Sequence, residues 1–116
     1  MRYVLLLYAS EAESRRASAS EAEAVERERR ALAAALAQSG KHGASHALVD
    51  SASATTLRRR GGRTVLCDGP CEETREQLRG LLLVEARDLD EAIAIAERTP
   101  DARLGSVEIR PVRESL

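Results

Sequence analysis

Asp68 and His46 are the two residues whose types best suit proton transfer. Asp68 ends a predicted strand just before Gly69 and Pro70, where a carboxylate can act as a base or anchor a ligand cation. His46 lies in a weak predicted strand, and its imidazole can exchange protons with a nearby carboxylate. Structural roles are the alternatives, because Asp before Gly often bonds its own turn backbone and a lone His is often a surface or packing residue. We therefore predict a candidate catalytic pair.

Three polar residues soon after this turn are candidate ligand-binding residues: Glu73, Thr74 and Glu76. They follow Asp68 closely enough to line the same cleft. Their alternative role is to cap and solubilise one helical turn, which we expect over residues 72–78. Both roles stay open from the sequence.

Two spaced pairs have residue types that bind zinc: His42 with His46, and Cys67 with Cys71. Imidazole and thiolate are the usual ligands of tetrahedral zinc. This spacing is loose and common by chance, so we predict neither a metal site nor a cofactor, while the spacing alone leaves zinc open. A Cys67–Cys71 disulfide is geometrically possible, but free thiols are expected in a reducing compartment.

The first half of the chain predicts a strand followed by a long helix. Residues 4–8 are apolar on both faces of a strand, and residues 10–19 are small and polar, which favours a loop. Ser20 and Glu23 have the spacing of a capping box, and apolar residues then recur at helical spacing up to Gly40. A weak strand is predicted over residues 46–49, followed by a polar connection at 51–54.

The second half predicts a hairpin, a strand, a helix and a final strand. Residues 55–57 and 64–66 flank Gly61 and Gly62, which suit a tight hairpin turn. Residues 81–84 form a second doubly apolar strand. Asp88 and Glu91 have capping-box spacing before a helix that ends ahead of Pro100, and residues 106–110 alternate as a strand that Pro111 stops.

This order of elements predicts an α+β fold, a ferredoxin-like split βαβ sandwich with an extra β-hairpin. Two helices can cover only one face of such a sheet. Because the strands at residues 4–8 and 81–84 are apolar on both faces, the other face would expose a large apolar patch. We therefore expect a homodimer in which two sheets pack face to face.

Composition bounds the remaining function classes. The 116 residues suit one domain, residues 1–116, and the net charge of −1 provides no field that would recruit nucleic acid or anionic lipid. The absence of a long apolar run or signal-peptide pattern predicts a cytoplasmic protein with no membrane partner. A basic hairpin tip could touch phosphate, although we favour a solvated surface and predict no nucleic-acid partner; the tip consists of Arg58, Arg59, Arg60 and Arg63.

Residues 68–70, 73–78 and 80 resemble the YCII-related superfamily, in the branch named for a DGPFAETKE-like motif. Further segments follow the family's order and spacing, so the resemblance covers nearly the whole chain: residues 4–8, 54–57, 88–92 and 105–111. The resemblance implies a bacterial protein with a ferredoxin-like fold that dimerises into an α/β barrel. It also implies, from some relatives, a His/Asp pair in a cleft between sheet and helices.

The chain departs from this family pattern at two positions. Arg29 stands where family members commonly have a His in the first helix, and Cys71 stands where an aromatic residue commonly follows Asp-Gly-Pro. A helical His base is therefore missing, and His46 or His42 would have to replace it. The sequence contains no pattern of a glycine-rich phosphate-binding loop or of a nucleophile elbow.

The sequence leaves two functions open. The first is the binding of a small organic molecule in a cleft near Asp68, with lyase or isomerase chemistry by proton transfer and His46 as the partner of Asp68. The alternative is a non-enzymatic regulatory or interaction module. The resemblance implies that alternative, because members of this branch are often encoded beside sigma factors of the extracytoplasmic-function type.

Overall fold

A four-stranded antiparallel sheet is the centre of the computed structural model, which describes residues 1–114. Its strands run in the order β2-β5-β1-β6, so that β5 separates β1 from β2 and β1 separates β5 from β6. This interleaving is compatible with a ferredoxin-like arrangement and confirms the predicted α+β class. The strand bounds are β1 (Arg2–Ser10), β2 (His42–Ala47), β5 (Glu76–Glu85) and β6 (Ser106–Pro111).

Four helices connect these strands: α1 (Glu11–Arg16), α2 (Ala19–Gln38), α3 (Leu89–Glu97) and α4 (Asp101–Leu104). The predicted loop at residues 10–19 is wrong, because the Ser10 side chain accepts a hydrogen bond from the Glu13 amide and thereby caps α1. The capping box of α2 uses Ser18 and Glu21, not Ser20 and Glu23. Two overlapping Ser-x-x-Glu patterns occur here, and the earlier one lets the helix begin at Ala19.

The core lies between one face of the sheet and the helices. Side chains alternate along β1, so that Tyr3, Leu5 and Leu7 are buried against the helices. Leu36 of α2 is fully buried there, and α3 adds Ile95. Burying each of these large side chains contributes about 2 kcal/mol, which makes this face the main source of stability.

The opposite sheet face has no covering element in the described part of the chain. Three pairs of neighbouring side chains across β1 and β5 lie on it, and all six are only partly buried: Val4 with Leu83, Leu6 with Leu81, and Tyr8 with Leu78. The molecule is 18 Å along its shortest axis, a thickness that accommodates one sheet and one layer of helices. We call these six residues the open sheet face.

The predicted hairpin is confirmed, but it forms a separate two-stranded sheet. It consists of β3 (Thr55–Arg60) and β4 (Arg63–Asp68). Gly61 and Gly62 both have positive φ, 57° and 77°, as a tight turn of this kind requires. Few of the hairpin side chains are buried.

Two predicted elements in the middle of the chain need correction. The strand predicted at residues 46–49 lies at His42–Ala47, where Lys41 and the C-terminus of α2 lead directly into it. The helical turn predicted over residues 72–78 is absent, and β5 begins at Glu76 instead. The Gln77 side-chain amide donates to the carbonyls of Glu72 and Thr74, which closes an irregular turn without helical hydrogen bonds.

Candidate functional site

A cavity of about 220 Å³ lies between α2 and the helix-covered face of the sheet. Leu7, Leu32 and Leu82 form apolar walls, whereas small residues leave space unfilled: Ala33, Ala47 and Gly80. We call this cavity the α2 cleft. At Gly80 a β-carbon would come within 2.7 Å of the His46 carbonyl oxygen, so glycine is also required for β2 to pack beside β5.

A buried ion pair forms the polar end of the α2 cleft. Arg29 donates from Nη2 to Asp101 Oδ1 at 2.7 Å and from Nε to Asp101 Oδ2 at 3.3 Å. The Asp101 side chain is 1% exposed, and its two oxygens accept these two bonds in a fork arrangement. Arg29 also donates from Nη1 to Glu26 Oε1 at 2.7 Å. One guanidinium is therefore shared by two carboxylates.

Opposing effects act on the pKa of Arg29. Burial alone lowers the pKa, because it disfavours the charged guanidinium. The hydrogen bonds and charge of Asp101, followed by those of Glu26, outweigh burial and raise the pKa above its ordinary value. Arg29 is therefore a permanent cation in this site and does not exchange protons at physiological pH.

A β-bulge brings Arg79 to the same cleft. Leu7 pairs with Gly80 and Tyr8 pairs with Leu78, so Arg79 is the extra residue with no partner on β1. A bulge interrupts the alternation of side chains along a strand and can redirect one of them. Arg79 lines the α2 cleft on the helix side of the sheet, although Leu78 next to it belongs to the open sheet face.

Arg79 is anchored by Asp50. Its Nη1 donates to Asp50 Oδ1 at 3.1 Å, while Asp50 Oδ2 accepts from Arg15 Nη2 at 3.3 Å. A second cavity of about 280 Å³, bounded by α1, α2 and α4, is lined by Arg79 together with Arg29 and Asp101. These three residues therefore separate two adjoining spaces along α2.

Residues 1–115 match the YCII-related domain. The chain belongs to the YCII-related domain family. It is also similar to an uncharacterized protein of Rhizobium meliloti (strain 1021), with 38% identity over 114 residues that cover 97% of this chain and 92% of the relative. Both matches extend across α2, the bulge in β5 and α4, the elements that form the cleft.

The structure of this YCII-related domain does not bring Asp68 and His46 to one cavity. His46 is exposed on β2 and lines the α2 cleft. Asp68 is exposed at the end of β4, in the separate hairpin sheet, and lines neither of the two cavities described above. Within residues 1–114 the Asp68 carboxylate forms no hydrogen bond, either with the backbone of its own turn or with another side chain. The catalytic pairing stays a prediction.

The three predicted ligand-binding residues lie in the turn that leads into β5. The Thr74 hydroxyl donates to the Glu76 carbonyl, and the Glu76 carboxylate accepts from the Ser106 hydroxyl at 2.8 Å. Glu73 is exposed and has no hydrogen-bond partner in the described part of the chain. The contacts of Thr74 and Glu76 stabilise the turn and the start of β5, and their role toward a ligand stays a prediction.

The histidines and cysteines are not gathered around one point. Cys67 and Cys71 are free and exposed, and the Thr56 hydroxyl lies 3.9 Å from Cys71 Sγ. His42 Nε2 lies 3.3 Å from the Ser45 hydroxyl. Among residues 1–114, no group of three or more acidic, His or Cys side chains has an arrangement that could hold a metal ion. The same residues include no helix long and apolar enough to cross a membrane.

Sequence reasoning missed Asp101 and Arg79 and treated Arg29 only as a departure from the family pattern. Asp101 follows Pro100 at the start of a four-residue helix, a position typical of an ordinary N-terminal acidic residue. Arg79 lies beside Gly80, and a glycine inside a strand is a recognised signal of a bulge. That signal could have identified Arg79; no comparable signal marks Asp101.

Proposed function

We propose that this YCII-related domain binds a small organic molecule in the α2 cleft. The observation that carries the proposal is the Arg29–Asp101 pair at the edge of a cavity with aliphatic walls. Apolar walls with a few fixed polar groups are the usual composition of a small-molecule site. A volume of about 220 Å³ restricts the ligand to fragment size.

Proton-transfer chemistry of the lyase or isomerase type depends on His46 in this proposal. His46 lines the α2 cleft, but it pairs with Leu81 of the open sheet face, so its imidazole would have to turn around the edge strand to act in the cleft as general acid or base. Asp101 already accepts two hydrogen bonds from Arg29, so we assign it the role of a positioning residue. Asp68 would take part as base or anchor only if the hairpin approached the cleft. Loss of turnover in His46→Gln with ligand binding retained is the expected sign of this chemistry.

A fragment screen by protein-observed NMR tests ligand binding, with Ala33→Phe as the blocking variant. Ala33 lines the cleft, and a phenyl ring there would fill the space that the ligand needs. Ala34→Phe is the matched control, because Ala34 is an exposed neighbour on α2 that lines none of the cavities described above. We expect fragments whose affinity falls about tenfold in Ala33→Phe and is unchanged in Ala34→Phe. Equal binding to both variants would contradict the proposal.

A regulatory or interaction module is the second candidate, and the exposed apolar residues of the hairpin favour it. Leu57 and Leu66 pair across β3 and β4 and are both exposed. Exposed apolar pairs of this kind are common at protein interfaces. A partner in a pathway of extracytoplasmic-function sigma factors is the regulatory role that the family resemblance implies. This candidate would be favoured if the screen found no fragment that binds the wild type and loses its binding in Ala33→Phe.

We also propose that two copies pair through the open sheet face. Its six side chains, from Val4 to Leu83, form a continuous apolar surface on the two central strands. Covering partly exposed apolar side chains stabilises an assembly by about 25 cal/mol for each Å² removed from water. The proposed homodimer would place the two α2 clefts on the outer sides of the paired sheets.

A further inference from the structure

We infer that the α2 cleft is selective for a small organic anion, a carboxylate with a short aliphatic body, and that Arg79 binds its carboxylate. This inference rests on the proposed function and specifies its ligand class. The observations that carry it are the charges around the cleft, the unused donors of Arg79 and the apolar walls.

The carboxylates at the cleft are already engaged. Asp101 is buried, and each of its oxygens accepts a hydrogen bond from Arg29. Glu26 Oε1 accepts from Arg29 Nη1. A ligand cation that approached Asp101 would have to displace a guanidinium from a buried carboxylate, which is strongly unfavourable, and Glu26 is half exposed to solvent. The arrangement therefore disfavours a cationic ligand.

Positive charge is in excess among the residues that line the cleft. Three arginines, Arg29, Arg30 and Arg79, face two acidic residues, Glu26 and Asp101. Arg29 is neutralised by both acidic residues, and Arg30 is exposed to solvent. Arg79 is different, because its side chain is only 26% exposed and its one carboxylate partner, among the described residues, is Asp50. Asp50 is itself shared with Arg15.

Arg79 retains donors for a ligand. A guanidinium has five N–H groups, and only Nη1 of Arg79 donates a hydrogen bond among the described residues, to Asp50. Its Nε and Nη2 form no hydrogen bond within residues 1–114. The Nε and Nη2 groups of one guanidinium can donate two parallel hydrogen bonds to the two oxygens of a carboxylate. The bulge that redirects Arg79 and the ion pair to Asp50 hold this group at the cleft.

The apolar walls select a carboxylate over inorganic phosphate. Leu7, Leu32 and Leu82 surround the rest of the space, so a ligand must have an aliphatic body to cover them. Inorganic phosphate has no apolar part that could cover these walls. Hexanoate is a suitable probe, because a short chain matches a cavity of this volume, and hexanamide keeps its shape without its charge.

Titration of the protein with hexanoate and hexanamide by NMR tests the inference. We expect hexanoate to shift the resonances of cleft residues and to bind about tenfold more tightly than hexanamide. Arg79→Gln should weaken hexanoate binding about tenfold and leave hexanamide unchanged. Arg15→Gln is the matched control, since it removes the other partner of Asp50 without changing a cleft residue, and it should bind hexanoate as the wild type does.

Three results would overturn the inference: equal affinity for the two probes, no binding of hexanoate, or an equal loss in Arg79→Gln and Arg15→Gln. Failure of the inference is distinguishable from failure of the proposed function. Neutral fragments that bind the wild type and not Ala33→Phe would preserve the ligand site while refuting its selectivity for anions. If no fragment binds the wild type and loses its binding in Ala33→Phe, both the ligand site and its selectivity for anions are refuted.

Discussion

Arg29 and Asp101 are 72 residues apart in the sequence and are joined by two hydrogen bonds, of 2.7 and 3.3 Å. The pair fixes the middle of α2 against the first residue of α4. A second pair, Arg103 with Glu28, joins the same two helices at the surface. The short α4 is therefore held by ion pairs at both of its ends, and the buried one also forms the polar end of the α2 cleft.

Asp101→Asn should destabilise the protein by about 2 kcal/mol. The substitution removes the charge that compensates Arg29 while it preserves side-chain size, and partial exposure of Arg29 keeps the loss below that of a fully buried pair. Urea unfolding measures the change. Glu28→Gln is the control, because its pair with Arg103 is exposed and should change the midpoint little. Equal midpoints for the wild type and Asp101→Asn would contradict the importance of the buried pair.

Gly105→Ala should destabilise the protein by about 3 kcal/mol. A β-carbon at Gly105 would overlap the backbone carbonyl oxygen of Tyr8, and this contact lies where β6 begins to pair with β1. Gly62→Ala is the comparison. No atom lies within 4 Å of a β-carbon placed at Gly62, so only the positive φ of 77° disfavours alanine there, and we expect a loss of stability of about 1 kcal/mol. Thermal unfolding of both variants measures the difference. The reverse order of stability would show that β6 can shift to accommodate a side chain.

Stability should depend on pH through Glu91. Hydrogen bonds from Lys41 and then from the Arg87 amide lower the pKa of Glu91 below its ordinary value of 4.5. Because the folded state favours the ionised carboxylate, this contribution is fully present above the unfolded-state pKa and declines as pH falls through the lower folded-state pKa. Glu91→Gln should therefore have a lower urea midpoint than the wild type near neutral pH, and the gap should close in strong acid.

The control for Glu91 is Glu23→Gln. Glu23 is exposed on α2 and forms no ion pair within the described residues. Its substitution should leave the urea midpoint close to that of the wild type at both pH values. A gap between Glu91→Gln and the wild type that persists unchanged in strong acid would show that the effect is not electrostatic.

Local patterns were sufficient to predict much of the fold. A continuous apolar run located β1, alternation located β6, helical spacing located α2, and paired glycines located the hairpin turn at Gly61 and Gly62. These signals arise from neighbours within one element. The start of β5 was missed because the Gln77 side chain, not the backbone, closes the turn before it. Hydrogen bonds of that kind leave no periodic trace in a sequence.

The site was harder to predict because its residues meet only through tertiary structure. Asp101 and Arg29 come from different helices. Arg79 lines the same cleft because it is the bulged residue of β5, with no partner on β1. Their types were readable, but their proximity depends on strand register and on the packing of α4. The prediction centred on Asp68 relied on a turn motif, whereas the cavity lies between α2 and the four-stranded sheet.

Leu6→Arg should convert the proposed homodimer to a monomer. Leu6 lies at the centre of the open sheet face, where an arginine would place a large charged side chain inside the proposed interface. Sedimentation velocity at micromolar concentration measures the outcome. Leu66→Arg is the matched control, because it adds the same charge to an exposed leucine of the hairpin and should remain dimeric. A wild-type protein that sediments as a monomer would refute the homodimer, and a Leu6→Arg variant that stays dimeric would refute pairing through this face.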